Sequence, residues 1–155
     1  MNNLLIHETA DVKTKNVGDD TKIWQYTVIL EQAKIGKNCN INCHCFIEND
    51  VIVGDNVTIK SGVYLWDGLR IGNDVFIGPN VTFINDKFPK SKVYPDKFLN
   101  TIIEDGVSIG AGAIIMGGIT IGAGAMIGAG SLVTKNVKPK TLWYGNPAKF
   151  IRDIK

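Results

Sequence analysis

From Val17 onward an apolar residue recurs every six positions: Val17, Ile23, Ile29, Ile35, Ile41, Ile47, Val53, Ile59, Leu65, Ile71, Ile77 and Phe83 follow without a miss. The phase breaks there and resumes at Ile103, running through Ile109, Ile115, Ile121, Ile127 and Val133. Four places after most of these large residues stands a small or β-branched one, among them Thr21, Thr27, Ala33, Cys39, Cys45, Val51, Val57, Val63, Val75, Val81, Val107, Ala113 and Ala125. Neither the 3.6-residue spacing of a helix nor the long alternation of an ordinary strand fits this pattern. Each hexad reads instead as one short strand with its large and small residues facing inward, followed by a bend. Hexads of that kind stack into a parallel β-helix.

A second period lies on the first. Gly18, Gly36, Gly54 and Gly72 are eighteen apart and each follows the apolar residue directly, so three hexads close one coil. The pattern predicts an all-β fold of about six triangular coils, with strands stacked at about 4.8 Å. One domain then covers residues 1–155: a partial coil over 1–16, coils over 17–83 and 103–138, a protruding loop over 84–102 and a cap over 139–155. In the cap, Pro147-Ala148-Lys149-Phe150-Ile151-Arg152 reads as a short amphipathic helix opened by proline. The loop holds about fourteen residues beyond one hexad and mixes lysines with aromatics and prolines; excursions of that length are usually functional.

The eighteen-residue period also places side chains. Asn49, Asp67 and Asn85 share one outward corner position and should form a polar ladder up one edge, with the loop leaving from its top. Trp66 adjoins Asp67 as a candidate wall, and Lys90 in the loop is a candidate cation for a phosphate. Ordinary polar corners and a solvated excursion are the plain alternatives.

Composition narrows the chemistry. A net charge of +2, with scattered lysines, gives no basic run for nucleic acid. Leu4-Leu5-Ile6 is far short of a membrane span or signal core, which predicts a cytoplasmic protein without membrane contact. Cys39 and Cys45 fall on inward positions, where a thiol replaces Ala or Val. With only His7 and His44 available, no metal is expected.

The hexads, the loop and the tail Gly145-Asn146-Pro147-Ala148-Lys149 resemble the hexapeptide-repeat acyltransferases over nearly the whole chain. The runs Ile23-Trp24, Ser61-Gly62-Val63-Tyr64-Leu65-Trp66-Asp67-Gly68 and Val75 to Asp86 resemble the branch that acetylates the amine of dTDP-3-amino-3,6-dideoxyhexoses. That resemblance implies a left-handed helix, against the general right-handed preference of parallel crossovers. It implies a homotrimer with acetyl-CoA and a nucleotide-linked amino sugar meeting between subunits. It further implies Asn85 as the group that positions the amine, with Asp86 and Asp67 as less favoured proton acceptors than the departing thiolate or water. For acetyl-CoA it implies main-chain contacts at Ala111 and Ala129, Thr134 and Lys135 near the adenine, and Lys149 and Arg152 near the phosphates.

The loop carries no histidine to serve as a general base for a hydroxyl nucleophile, which favours N- over O-acetylation. A UDP-amino-sugar acetyltransferase, an O-acetyltransferase of a free sugar or antibiotic, a noncatalytic trimer and a metal-dependent hydratase remain open at this point.

Overall fold

The computed structural model describes residues 3–155. Almost every hexad forms a strand of two or three residues, with its large residue buried and the residue before it turned outward, as in Thr58–Ile59 and Phe76–Ile77. Three parallel sheets result, one on each face of a solenoid. The first runs from Leu5–Ile6 up to Thr141–Gly145, the second from Asp11–Val12 to Leu132–Val133, and the third from Lys34–Ile35 to Thr120–Ile121. Inside, Ile23, Ile41, Ile59, Ile77, Ile109 and Ile127 stack in one fully buried column. The small residues Ala33, Val57, Val63 and Ala113 sit beside such columns with no exposed surface.

The solenoid has about eight turns, not six. The two extra turns are at the ends, where the spacing slips. Ile6 pairs with Ile23 only seventeen positions on, and Ile127 pairs with Trp143 sixteen positions on. Backbone ladders tolerate these slips, whereas a strict six-residue count does not register them.

The C-terminal helix is also replaced. Ala148–Asp153 is a strand, antiparallel to Thr141–Gly145, and Trp143 packs edge-on to Phe150 with ring centroids 6.4 Å apart. An uncovered last strand would leave its N–H and C=O groups without partners. The hairpin supplies them, and it closes the core with Trp143, only 8% exposed. Pro147 therefore lies in a hairpin turn and does not open a helix.

Two details fix the coil geometry. At the corner joining the third and first faces, Asn38 Nδ2 donates to Asn56 Oδ1 and Asn56 Nδ2 to Asp74 Oδ1, each at 3.0 Å. All three residues have positive φ, a conformation that Asn and Asp tolerate better than most side chains. Beside them the glycine column is packed backbone to backbone: a Cβ on Gly54 would lie 2.6 Å from the Gly72 carbonyl oxygen. Backbone on both sides has no rotamer with which to yield. Gly54→Ala is therefore expected to cost about 1–3 kcal/mol, read as a lowered midpoint in urea.

The loop interrupts the stack after Thr82–Phe83. Phe76 pairs with Ser108, thirty-two positions on instead of eighteen, so fourteen residues are inserted between two adjacent coils. The solenoid resumes at Thr101–Ile103, in register with Leu69–Ile71.

Candidate functional site

The corner between the second and third faces carries the polar ladder. Asn49, Asp67 and Asn85 stand one coil apart there, and their side chains bind the backbone of neighbouring coils. Asn49 Oδ1 accepts from Gln32 N at 3.1 Å, and Asp67 Oδ1 accepts from Asp50 N at 2.6 Å. Asn85 Nδ2 donates to the Asp67 carbonyl at 3.3 Å. The last contact decides the orientation of Asn85. A peptide carbonyl only accepts, so the amide nitrogen faces Asp67 and the Oδ1 acceptor is turned the other way.

The neck of the loop closes on the same spot. Leu99 N donates to Asn85 O at 3.4 Å, and Thr101 N donates to Gly68 O at 3.1 Å. The Leu99 side chain then lies over Gly117 and Gly118 of the next coil, 3.2 and 3.6 Å from where a Cβ on each would stand. A cleft of about 260 Å³ opens between the ladder top and the loop, lined by Asn85, Asp86, Phe88, Pro95, Lys97 and Leu99 among others. Asp86 uses one carboxylate oxygen to accept Phe88 N at 2.8 Å. Lys90 is exposed further out on the loop, in a small bridge with Val93. The loop holds Phe88 and Tyr94 out, 85% and 77% exposed.

Trp66 leans over the second face rather than into this cleft. It meets Phe46 at 5.7 Å and Tyr64 at 5.9 Å between centroids, one wall of an aromatic groove of about 460 Å³. At the groove's other edge Tyr26 stacks on His44, 5.1 Å apart. His7 contacts Thr9 in the first coil. Neither histidine is on the Asn85 corner.

The residues expected for acetyl-CoA separate into three places. Ala111 and Ala129 stack on the far edge of the second face, where Gly130 N donates to Ala111 O at 2.8 Å. Thr134 and Lys135 lie on the Asn85 corner, in a later coil, with Lys135 Nζ 5.5 Å from the centre of the Trp143 ring. Lys149 and Arg152 are exposed on the last strand, opposite Tyr144 and Leu142. Tyr144 in turn covers Gly128, so Lys149 continues the Ala111 and Ala129 edge upward. Within one chain the Asn85 cleft and the Ala111–Ala129 edge are held apart by the width of a face.

Sequence reading missed Glu48. Its Oε2 accepts Asp67 N at 2.7 Å from the coil below, and Arg70 clamps the adjoining Asp50 through Nη1 and Nη2. Burial first, and then the charge of Asp67, push the Glu48 carboxyl above its ordinary range against the lowering effect of that hydrogen bond. A signal was present. The half-buried equivalent positions Leu30, Trp66, Ile84 and Met116 are apolar, with polar Lys13 and Thr134 only at the exposed ends, so a carboxylate in the middle of that column stands out.

The buried thiols match their inward positions: burial pushes Cys45 up to about 11, which keeps it protonated and inert. Among the described residues no group of His, Cys, Asp or Glu is arranged to hold a metal ion, and no helix is long and apolar enough to cross a membrane.

A solenoid of six-residue repeats with a polar corner beneath an inserted loop defines a class, and the chain belongs to the bacterial transferase hexapeptide (six repeats) family, which matches residues 15–49, 50–85 and 100–135. Within that class it is 56% identical, over 93% of its length and 75% of the relative's, to a dTDP-3-amino-3,6-dideoxy-alpha-D-galactopyranose 3-N-acetyltransferase of Aneurinibacillus thermoaerophilus. A hexapeptide-repeat acetyltransferase of Vibrio cholerae, solved with acetyl coenzyme A, superposes with a TM-score of 0.63 at 30% identity, covering 80% of this chain and 69% of that one. A mutant N-acyltransferase from Bacillus cereus, solved with dTDP and coenzyme A, shares the fold at a TM-score of 0.68 and 21% identity, over 99% of this chain and 82% of that one.

Proposed function

We propose that the chain transfers acetyl from acetyl-CoA to the amine of a nucleotide-linked aminodeoxyhexose, in first place a dTDP-3-amino-3,6-dideoxyhexose. The 56% identity to the Aneurinibacillus enzyme supports the substrate class. The observation that carries the chemistry is the fixed amide of Asn85, whose Nδ2 is held by Asp67 so that Oδ1 is free to accept. An amide oxygen takes an N–H from a neutral amine and leaves its lone pair directed at the thioester. The C–N bond forms as the C–S bond breaks, and the surplus proton leaves with the thiolate or to water. Asp86 and Asp67 rank behind these acceptors, because each already has one oxygen engaged by a backbone N–H.

The same proposal includes a homotrimer of left-handed helices, each chain a single domain. Separation of the Asn85 cleft from the Ala111–Ala129 edge supports it, since a neighbouring copy would bring the second element to the first. In that arrangement Ala111 and Ala129 offer main-chain groups to the acetyl-CoA arm, Thr134 and Lys135 flank its adenine, and Lys149 and Arg152 meet its phosphates. Asn49, Trp66, Asp67 and Lys90 belong to the sugar nucleotide. Both substrates are cytoplasmic metabolites, and the enzyme is placed there with them. No metal has a part in the scheme.

Thiol release from acetyl-CoA tests this reading against dTDP- and UDP-linked 3-amino and 4-amino hexoses. Turnover is expected with a dTDP-3-amino sugar, giving a product heavier by one acetyl group. Silence across the panel from protein that binds acetyl-CoA would point to a non-nucleotide acceptor.

A further inference from the structure

We infer that Glu48 is a positioning residue for acetyl transfer, acting through the Asp67 backbone to aim Asn85. The inference rests on the reading of Asn85 as the partner of the acceptor amine. Three contacts carry it. Glu48 Oε2 holds Asp67 N–H from below at 2.7 Å. The Asp67 side chain hooks Asp50 N at 2.6 Å, and Arg70 fixes Asp50 by its carbonyl and its carboxylate. The Asp67 carbonyl, with its residue pinned at both ends, receives Asn85 Nδ2.

The direction of the Asn85 oxygen is therefore set two coils below the cleft. A shift of the Asp67 backbone, pinned through its N–H and its side chain, moves the carbonyl on the other side of its Cα, and the Asn85 amide with it. The choice of a carboxylate agrees with this. Glu48 stands in the half-buried middle of a column whose neighbours there are Leu30, Trp66, Ile84 and Met116, with polar Lys13 and Thr134 only at the exposed ends, and a charge in that middle carries a desolvation cost. A charge-assisted acceptor is shorter and stiffer than a neutral one, and stiffness here is passed on to Asn85.

The fold contains its own control. Glu104 Oε2 accepts Ala123 N at 2.8 Å, the same type of bond reaching one coil up, but from the corner joining the third and first faces. If Glu48 does no more than tie coils, the two glutamates are equivalent. If it aims Asn85, only Glu48 affects the reaction.

The experiment compares kcat and both KM values of purified wild type, Glu48→Leu, Glu48→Gln, Glu104→Leu, Asn85→Ala and the Glu48→Leu/Asn85→Ala double variant, each checked for folding by thermal melt. Glu48→Leu is expected to lose about ten- to a hundredfold in kcat with KM for acetyl-CoA unchanged, as for a displaced reacting group. Glu48→Gln, which keeps an acceptor oxygen, recovers most of that loss. Glu104→Leu stays within about twofold of wild type, as expected for independent distant sites. In the double variant, Glu48→Leu adds nothing to Asn85→Ala. The inference is overturned if folded Glu48→Leu matches Glu104→Leu, or if its loss multiplies with that of Asn85→Ala. Should Glu48→Leu fail to fold, Glu48→Gln and Glu48→Ala replace it, and equal kcat in that pair overturns the inference. Normal turnover by Asn85→Ala would instead remove the underlying reading of Asn85.

Discussion

Asn85→Ala is expected to lower kcat about a hundredfold, the scale on which a misplaced reacting group loses rate, while KM for acetyl-CoA stays near the wild-type value. The asymmetry follows from position. Asn85 stands at the top of the polar corner, and the stacked Ala111 and Ala129 stand on the other edge of the second face. Alanine also releases the Asp67 carbonyl, but the bond lost is a single 3.3 Å contact at a half-buried corner, so the fold survives the change. A companion variant tests the choice of an amide over a carboxylate. Asn85→Asp would place a negative charge beside the amine, and an opposite charge raises an amine's pKa by about 1–3 units. More of the amine is then protonated at neutral pH, so the acidic limb of the kcat–pH profile should move upward. A profile superimposable on wild type, at any absolute rate, would show that residue 85 does not face the amine.

Much of this structure was legible in the chain because a β-helix writes its geometry as a period. Inward and outward positions, the three-hexad coil, the fourteen-residue insertion and the shared corner of Asn49, Asp67 and Asn85 all follow from counting. The count failed where it slipped. Ile6 and Trp143 join the stack one and two residues out of phase, which hid two turns. The tail misled for a related reason. Proline before a run of mixed polarity suits a helix start, but the exposed edge of the last parallel strand needs hydrogen-bond partners, and Ala148–Asp153 meets that need as a strand. Glu48 escaped because attention to the ladder favoured outward corner residues, and its own column is half-buried. Trp66 adjoins Asp67 at the corner, yet its ring turns toward Tyr64, two residues back, and Phe46, one coil below, and the Phe46 contact is invisible in local sequence.

Replacing residues 87–97 by a short glycine linker is expected to abolish acetyl transfer while leaving the solenoid intact. Stability is spared because the neck, not the loop, carries the structural contacts. Leu99 returns to Asn85 and Thr101 to Gly68 outside the deleted segment, and Leu99 keeps its seat over Gly117 and Gly118. The segment itself is almost wholly exposed. Its removal should shift the melting temperature by no more than about 2–4 °C, the size associated with roughly 1 kcal/mol in a chain of this length. Activity should fall by at least about a hundredfold, because the cleft loses Lys87, Phe88, Pro95 and Lys97 together with Lys90 and Tyr94, and a substrate without its cover reacts from poorly oriented, hydrated states. Phe88 and Tyr94 give the expectation its force: two aromatic side chains held in water cost free energy unless a substrate or a second subunit covers them. A folded, loopless protein that still turned over the dTDP-3-amino sugar at the wild-type rate would reduce the excursion to solvated chain and leave the Asn85 corner as the whole of the acceptor site.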